Sequence, residues 1–440
     1  MSASALQAGI ARRDITPAPG IPLFGYPTER LGHEVADALN ATALFLQSGE
    51  VQACIISLDW CLIDAEEVAD LRHKIAQACN VAAENITFSA THTHSGPTTV
   101  ECWGWGDKDA AYLASARDAI VASAVEAQAA LEPVRVGIGV TTTQTGINRR
   151  EVNIEGNVIL GFYEWGAYDD TLTVLRFETE SGTLASLVHL SAHPTSRGGE
   201  PSVSRDWPGV MMDRVEKITS APVLFLNGAF GDVAPRTNKG GAVGDGGAAS
   251  TEVGLRAASD ALQAWRGIKE FRALDLQTYS EVLALPHAPL PALEEAQLQA
   301  VEYADGEGVL GTRHAEWRYW NAVLAAHAEE PRLSRDWQQT IVRIGPVVLV
   351  PFAGEIFSEI ALRLKKASPF AHTLCLGTSN GSHGYYVTRE ARARGGYEPW
   401  VAKAYGAYIL ADDIDDVLVR ENLRLLQKAH AAGIVGSTLR

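Results

Sequence analysis

Apolar runs of strand length alternate with Ala-rich runs of helical length along nearly the whole of this 440-residue chain, which restricts it to an α/β or mixed α+β architecture. Runs at 41–46 and 51–58 flank Gly49 as a hairpin, and 64–80 reads as the helix that follows. Residues 85–90 are β-branched and aromatic enough for a short strand, and 109–131 is an Ala-rich helix ended by Pro133. Further strands are predicted at 134–143, 172–177 and 184–190. A helix at 207–218 has Pro208 in its first turn, a strand at 223–226 enters a loop, and a helix spans 251–265. The segment 289–332 is Glu- and Ala-rich with helical spacing and is broken by Gly306, Gly308 and Gly311, so it reads as a helical hairpin inserted between sheet-forming parts. It suits a lid, one wall of a cleft, or an outer helical layer. Strands at 339–344 and 347–351, a helix at 355–366 beginning just after Gly354, and a strand at 373–376 lead into a glycine-rich loop at 377–386. No internal repeat is visible.

Composition narrows the function. With 46% hydrophobic and 20% charged residues the chain is ordinary globular material, and a net charge of −16 opposes general affinity for nucleic acid or anionic membrane surfaces. The first residues lack the charged start and apolar core of a secretion signal, and no apolar run reaches bilayer length. Five cysteines, an odd number without C-x-x-C spacing, argue against a disulfide framework and a thiolate zinc site. The expectation is a cytoplasmic protein acting on a small molecule, with no nucleic acid, no stable membrane association and the oligomeric state open.

Chemistry concentrates in Thr91-His92-Thr93-His94-Ser95-Gly96-Pro97, which puts two imidazoles one residue apart at a strand exit. In extended backbone both rings share a face, and H-x-H offers zinc two ligands; the same spacing suits a hydrogen-bonded pair at a sheet edge. His193, held extended by Pro194, has the same setting, whereas His189 lies inside an apolar run and reads as a core histidine. Glu355 follows Gly354 at a strand-to-helix turn, where the first helical turn can aim its carboxylate or merely place it against the helix dipole. Tyr385 and Tyr386 lie in the glycine-rich loop. Asn227 and Gly228 open a tight turn whose amides suit an oxyanion or phosphate nest. Trp103 and Trp105, separated by one glycine, can stack on a ring-shaped substrate or simply pack.

In order along the chain, Gly9-Ile10-Ala11-Arg12-Arg13-Asp14-Ile15-Thr16-Pro17, the 91–97 signature, Asn148-Arg149, His193-Pro194, Gly231-Asp232-Val233-Ala234-Pro235, Gly354-Glu355 and Asn380 onward to Thr388 resemble the neutral, or alkaline non-lysosomal, ceramidases, and especially their shorter bacterial relatives. The resemblance implies a ceramidase-like catalytic domain of mixed β-sheets flanked by helices; the chain is expected to form that single domain over 1–440 and to depart from the family in leaving no room for its C-terminal immunoglobulin-like domain. It also implies a zinc ion held by His92, His193, Glu355 and Tyr385, with Tyr386 a competitor for the last place. His94 then becomes a proton-handling neighbour and Arg149 a residue facing the substrate's polar head; apart from the resemblance, the carboxylate of Asp206 is a second candidate shuttle on chemical grounds. The chain departs from the family at Ala234, where the G-D-V-S-P pattern has a serine assigned to catalysis; alanine can neither attack nor donate.

Two histidines, a carboxylate and an oxygen donor suit zinc, and a zinc-activated water hydrolyses a carbonyl compound without a side-chain nucleophile. The expected function is therefore a zinc-dependent hydrolase of an amide bond in a soluble small substrate. The alternatives are hydrolysis of a glycoside or ester bond in a carbohydrate-like substrate, or a metal-binding protein that has lost catalysis with Ala234.

Overall fold

The computed structural model describes residues 5–28, 30–238, 244–308 and 311–438, with side chains described as far as residue 431. Its first part contains β1 (Gln7–Asp14), β2 (Asn40–Ser48), β3 (Val51–Leu58), α1 (Ala65–Cys79), β4 (Ile86–Ala90) and α2 (Ala110–Ala129). β1 pairs antiparallel with β2 and β2 with β3, while β3 pairs parallel with β4. The second part contains β5 (Arg135–Thr142), β6 (Thr171–Thr179), β7 (Gly182–Leu190), α3 (Asp206–Thr219), β8 (Val223–Asn227) and α4 (Gly247–Gly267). It repeats the pattern: β5–β6 and β6–β7 are antiparallel and β7–β8 is parallel.

The third part contains β9 (Leu276–Pro286), α5 (Leu293–Glu302), α6 (Thr312–Ala326), β10 (Ser334–Ile344), β11 (Val347–Pro351), α7 (Ser358–Ala367), β12 (His372–Leu376) and α8 (Ile414–Thr438). Here too β9–β10 and β10–β11 are antiparallel and β11–β12 is parallel. The molecule thus runs through one topology three times, a repeat that exists in strand order and direction and not in sequence.

Packing explains why the strands read as nearly continuous apolar runs. In β2, Leu44 and Leu46 enter a central core shared with Leu187 and Leu226 of the second sheet and Leu349 and Leu376 of the third. The alternate residues Ala43 and Phe45 face outward, under α1 and α2. The second sheet is covered in the same way by α3 and α4, and the third by α7 and α8. Local signals set the helix ends: Asp64 and Asp109 cap α1 and α2 through the amides of Glu67 and Tyr112, and Asn80 closes α1 in left-handed conformation.

Because the first strand of each part runs the same way as the third and fourth, the C-terminal ends of all three lie at one rim. The connections leaving that rim carry the chemistry. The helix expected from Glu355 begins only at Ser358. Glu355–Ile356 is instead a short strand paired in parallel with Tyr385–Tyr386, with the Glu355 amide donating to the Gly384 carbonyl at 2.9 Å. Asp232 supplies the acceptor that starts α7, taking the Ser358 amide at 2.8 Å and its hydroxyl at 2.9 Å. Helices α5 and α6 connect the full-length pair β9–β10, and Glu316 docks α6 onto the 397–405 segment by accepting from Trp400 and Lys403.

Candidate metal centre

At the rim, His92 follows β4, His193 follows β7, Glu355 follows β11 and Tyr385 follows β12, so all three sheets contribute. Glu355 Oε2 lies 3.1 Å from His193 Nε2 and 3.3 Å from His92 Nε2, and His94 Nε2 lies 3.2 Å from His92 Nε2. Donors bonded at about 2.0–2.1 Å to a tetrahedral zinc stand about 3.3–3.4 Å apart, so this spacing suits such an ion. The side chains behind the donors point the same way. His92 Nδ1 donates to the Cys61 carbonyl at 2.8 Å, and His193 Nδ1 lies 2.8 Å and 2.9 Å from the Phe230 and Val233 carbonyls. Each ring therefore carries its proton on Nδ1 and turns its Nε2 lone pair toward Glu355. Two lone pairs and a carboxylate facing one point repel one another unless a cation occupies it.

The electrostatics keep these groups in ligating form. Burial and the Arg149 charge push His193 down to about 3, and burial, His92 and His193 hold His94 well below the usual histidine range. Burial and Glu355 push the Tyr385 phenol well above its ordinary value.

The two tyrosines separate cleanly. Tyr385 lines the cavity over the cluster and accepts from Arg149 Nη2 at 3.0 Å, whereas the Tyr386 hydroxyl turns to His383 Nδ1 at 2.8 Å and its ring packs on Trp337 and Phe352. In a parallel pair successive side chains point to opposite faces, and only one can reach the site. The H-x-H segment is not extended as expected: His92 has φ 72, and the left-handed turn, not strand alternation, brings its ring to 4.9 Å from that of His94. His94 is met from the other side by Gly25, where a Cβ would lie 2.5 Å from the imidazole, so that approach requires glycine. Above the cluster is a cavity of about 20 Å³ walled by Phe24, Cys61, Trp105, Tyr397 and Tyr405, room for little more than water.

Several expected contacts lie elsewhere. Arg149 is buried and does not wall this cavity. Its Nε donates to Glu398 at 2.9 Å, Nη2 holds Tyr385, and Nη1 lies 3.2 Å from His193 Nε2. Burial works against its charge, but Tyr385, Glu398 and Glu355 raise its pKa, so Arg149 remains a cation held between Tyr385 and Glu398. Asn227 does not face substrate: its Nδ2 donates to the Thr91 carbonyl at 3.1 Å and the Ala192 carbonyl at 3.0 Å, latching the loops of His92 and His193 together. Gly228 is packed behind the site, where a Cβ would lie 2.2 Å from Ser191 Oγ. The carboxylate of Asp206 accepts the Arg197 and Trp207 amides, and burial raises it to about 6; no hydrogen bond joins it to His94 among the described residues. Trp105 walls the cavity, while Trp103 packs with the α5–α6 hairpin beneath Arg318. Ala234 is buried opposite Ile147, outside the cavity wall, and His189 is a core residue bonded to the Cys375 carbonyl.

Cys61, Tyr397, Tyr405 and Glu398 were not foreseen. None stands in a recognisable spacing; the one available hint is Gly395-Gly396 before Tyr397-Glu398, a backbone break of the kind that re-aims side chains.

The fold is shared with solved ceramidases. A neutral ceramidase from Pseudomonas aeruginosa superposes with a TM-score of 0.73 at 19% identity, over 97% of this chain and 75% of that one. A ceramidase solved as a complex with C2 gives 0.76 at 18% identity, over 98% of this chain and 76% of that one. No individually curated protein sequence gives a significant match. Residues 6–249, more than half of the chain, match the family described as neutral/alkaline non-lysosomal ceramidase, N-terminal, and the chain is a hydrolase belonging to that family.

Proposed function

We propose that the chain is a zinc-dependent amidase acting on a small acylated amine, with zinc held by His92, His193, Glu355 and Tyr385. The observation that carries this reading is the convergence of His92 Nε2, His193 Nε2 and Glu355 Oε2, with both imidazoles anchored at Nδ1 by backbone carbonyls. Bound there, zinc supplies Lewis acidity to a carbonyl and to a water. The protein's own groups do the rest. Hydrolysis adds water across the C–N bond, hydroxyl to carbon and a proton to the departing amine. His94, neutral and 3.2 Å from His92 Nε2, is the group placed to move that proton at its Nε2. Arg149 holds Tyr385 and is itself held by Glu398, while Trp105, Tyr397 and Tyr405 keep bulk water from the cluster. Ala234 contributes no hydroxyl, so this reaction uses no side-chain nucleophile there.

An amide is favoured over a glycoside on one further ground. Trp105 is 3% exposed and its ring lies against Trp400 at 6.2 Å, so it offers no open face to a sugar. Five buried cysteines without disulfides fit the cytoplasmic reading, and among the described residues no helix is long and apolar enough to cross a membrane. In the same reading the chain acts as one catalytic unit, with the 289–332 hairpin as a wall of its cleft. Hydrolysis of a panel of N-acyl amides before and after chelation tests the proposal. Loss of turnover on chelation and recovery with zinc is expected. Turnover indifferent to chelation, or zinc-loaded protein inert toward every amide, would contradict it.

A further inference from the structure

A second cavity lies on the far side of Tyr385 and Tyr405, which wall both it and the cavity over the metal ligands. Its other walls include Arg335, His383, Arg392 and Tyr408. Arg335 belongs to β10, where the inward series Trp337, Gln339 and Ile341 is buried, so it enters the molecule on the core face. No carboxylate pairs with it among the described residues: burial lowers its pKa, and the only group that acts the other way is the Tyr386 phenol. A half-buried guanidinium without a counter-ion is costly to keep, and such a group is expected to have a partner that arrives with a ligand.

The rest of the chamber is built for the same charge. His383 feels the Arg335 charge, and Arg332 lies over the Tyr408 ring at 5.7 Å. The Tyr408 hydroxyl and His287 Nε2 are buried without a hydrogen-bond partner among the described residues. The acids near the chamber stand by Arg392: Asp412 lies 3.2 Å from its Nε, and Asp415, which Arg363 also holds at 2.9 Å, raises its pKa too. Arg392 is thus balanced and Arg335 is not, which leaves one uncompensated positive charge and matches a monoanion better than a dianionic phosphate. The chamber has about 10 Å³, roughly one water, so an entering group displaces Tyr405, whose turn ends at Gly406 with φ 138.

We propose that Arg335, Arg392 and Tyr408 form a carboxylate subsite, so that the substrate is an acyl amide carrying one carboxylate on the half that passes Tyr385 and Tyr405. This rests on the amidase reading for the scissile bond but not for the binding of the anion. Two matched pairs are titrated into the full chain by calorimetry and assayed for kcat/KM: N-hexanoylglycine with N-hexanoylpropylamine, and N-propylsuccinamic acid with N-propylpentanamide. In at least one pair the acid is expected to bind roughly tenfold tighter or better than its neutral partner. Arg335→Gln should bring that ratio below about twofold and Arg335→Lys should restore part of it. Arg392→Gln, which leaves Asp412 without its partner, should lower the ratio less and serves if the first variant does not fold. Equal binding of acid and neutral amide in both pairs, or loss of both in the same proportion in Arg335→Gln, overturns the subsite. Inorganic phosphate displacing the acid more strongly than acetate does overturns the monocarboxylate assignment. The two readings fail separately: tight acid binding without cleavage of any amide contradicts the amidase and supports the subsite, and cleavage without acid preference does the reverse.

Discussion

The two loops that leave the parallel strands of the second sheet start side by side and end in different work. The loop after β7 carries His193 into the cluster, whereas the end of β8 and the loop after it supply only its support: the Asn227 latch, the Phe230 ring 4.9 Å from that of His193, and the Phe230 and Val233 carbonyls that take its Nδ1 proton. Equivalent topological positions therefore do not carry equivalent chemistry. The strand end fixes where a loop begins, and the side chains decide whether it joins the cluster or props up the residue that does.

The sharpest way to break this contrast is to remove the residue on the ligand side. His193→Ala should lose metal and lower kcat/KM by at least about 10³-fold, measured with zinc content on the same sample. Activity within tenfold of the unmodified protein would erase the distinction. His94→Ala should retain metal and still lose about 10²-fold or more in kcat, since it removes proton transfer and not a ligand. Equal metal loss in both variants would move His94 into the ligand set.

On the supporting side the expected cost is stability. Asn227→Ala frees two buried carbonyls, of Thr91 and Ala192, and should destabilise the protein by about 2–4 kcal/mol in denaturant unfolding while weakening metal binding by about tenfold. Loss of turnover with unchanged unfolding would make Asn227 a substrate contact after all. Ala234→Ser, a buried position away from the cavity wall, should change turnover by less than about tenfold. A gain of two or more orders of magnitude would show that the family's serine acts in this chain as well.

The four residues proposed as ligands were singled out by the family resemblance, and each lies beyond an apolar strand beside a glycine or proline: His92 before Gly96-Pro97, His193 before Pro194, Glu355 after Gly354, Tyr385 after Gly384. The reasons were less well read than the residues. His92 reaches the site through a left-handed backbone, and Glu355 through a parallel bridge to Tyr385 rather than a helical turn. Asn227 and Gly228 were misread because a polar turn after a strand resembles an anion nest until its neighbours Thr91 and Ala192, distant in sequence, come alongside. Glu398, 249 positions from Arg149, has no local signal at all. The threefold recurrence of topology escaped notice because the matching strand ends hold different side chains: His92 after β4, Asn227 at the end of β8 and Tyr385 beyond β12.

The central claim is that His92, His193, Glu355 and Tyr385 hold one zinc ion at the junction of the three sheets. Elemental analysis of the full chain, purified without chelator, tests it most directly. The account predicts about one zinc per chain; less than about half an equivalent, not raised by added zinc, would contradict it.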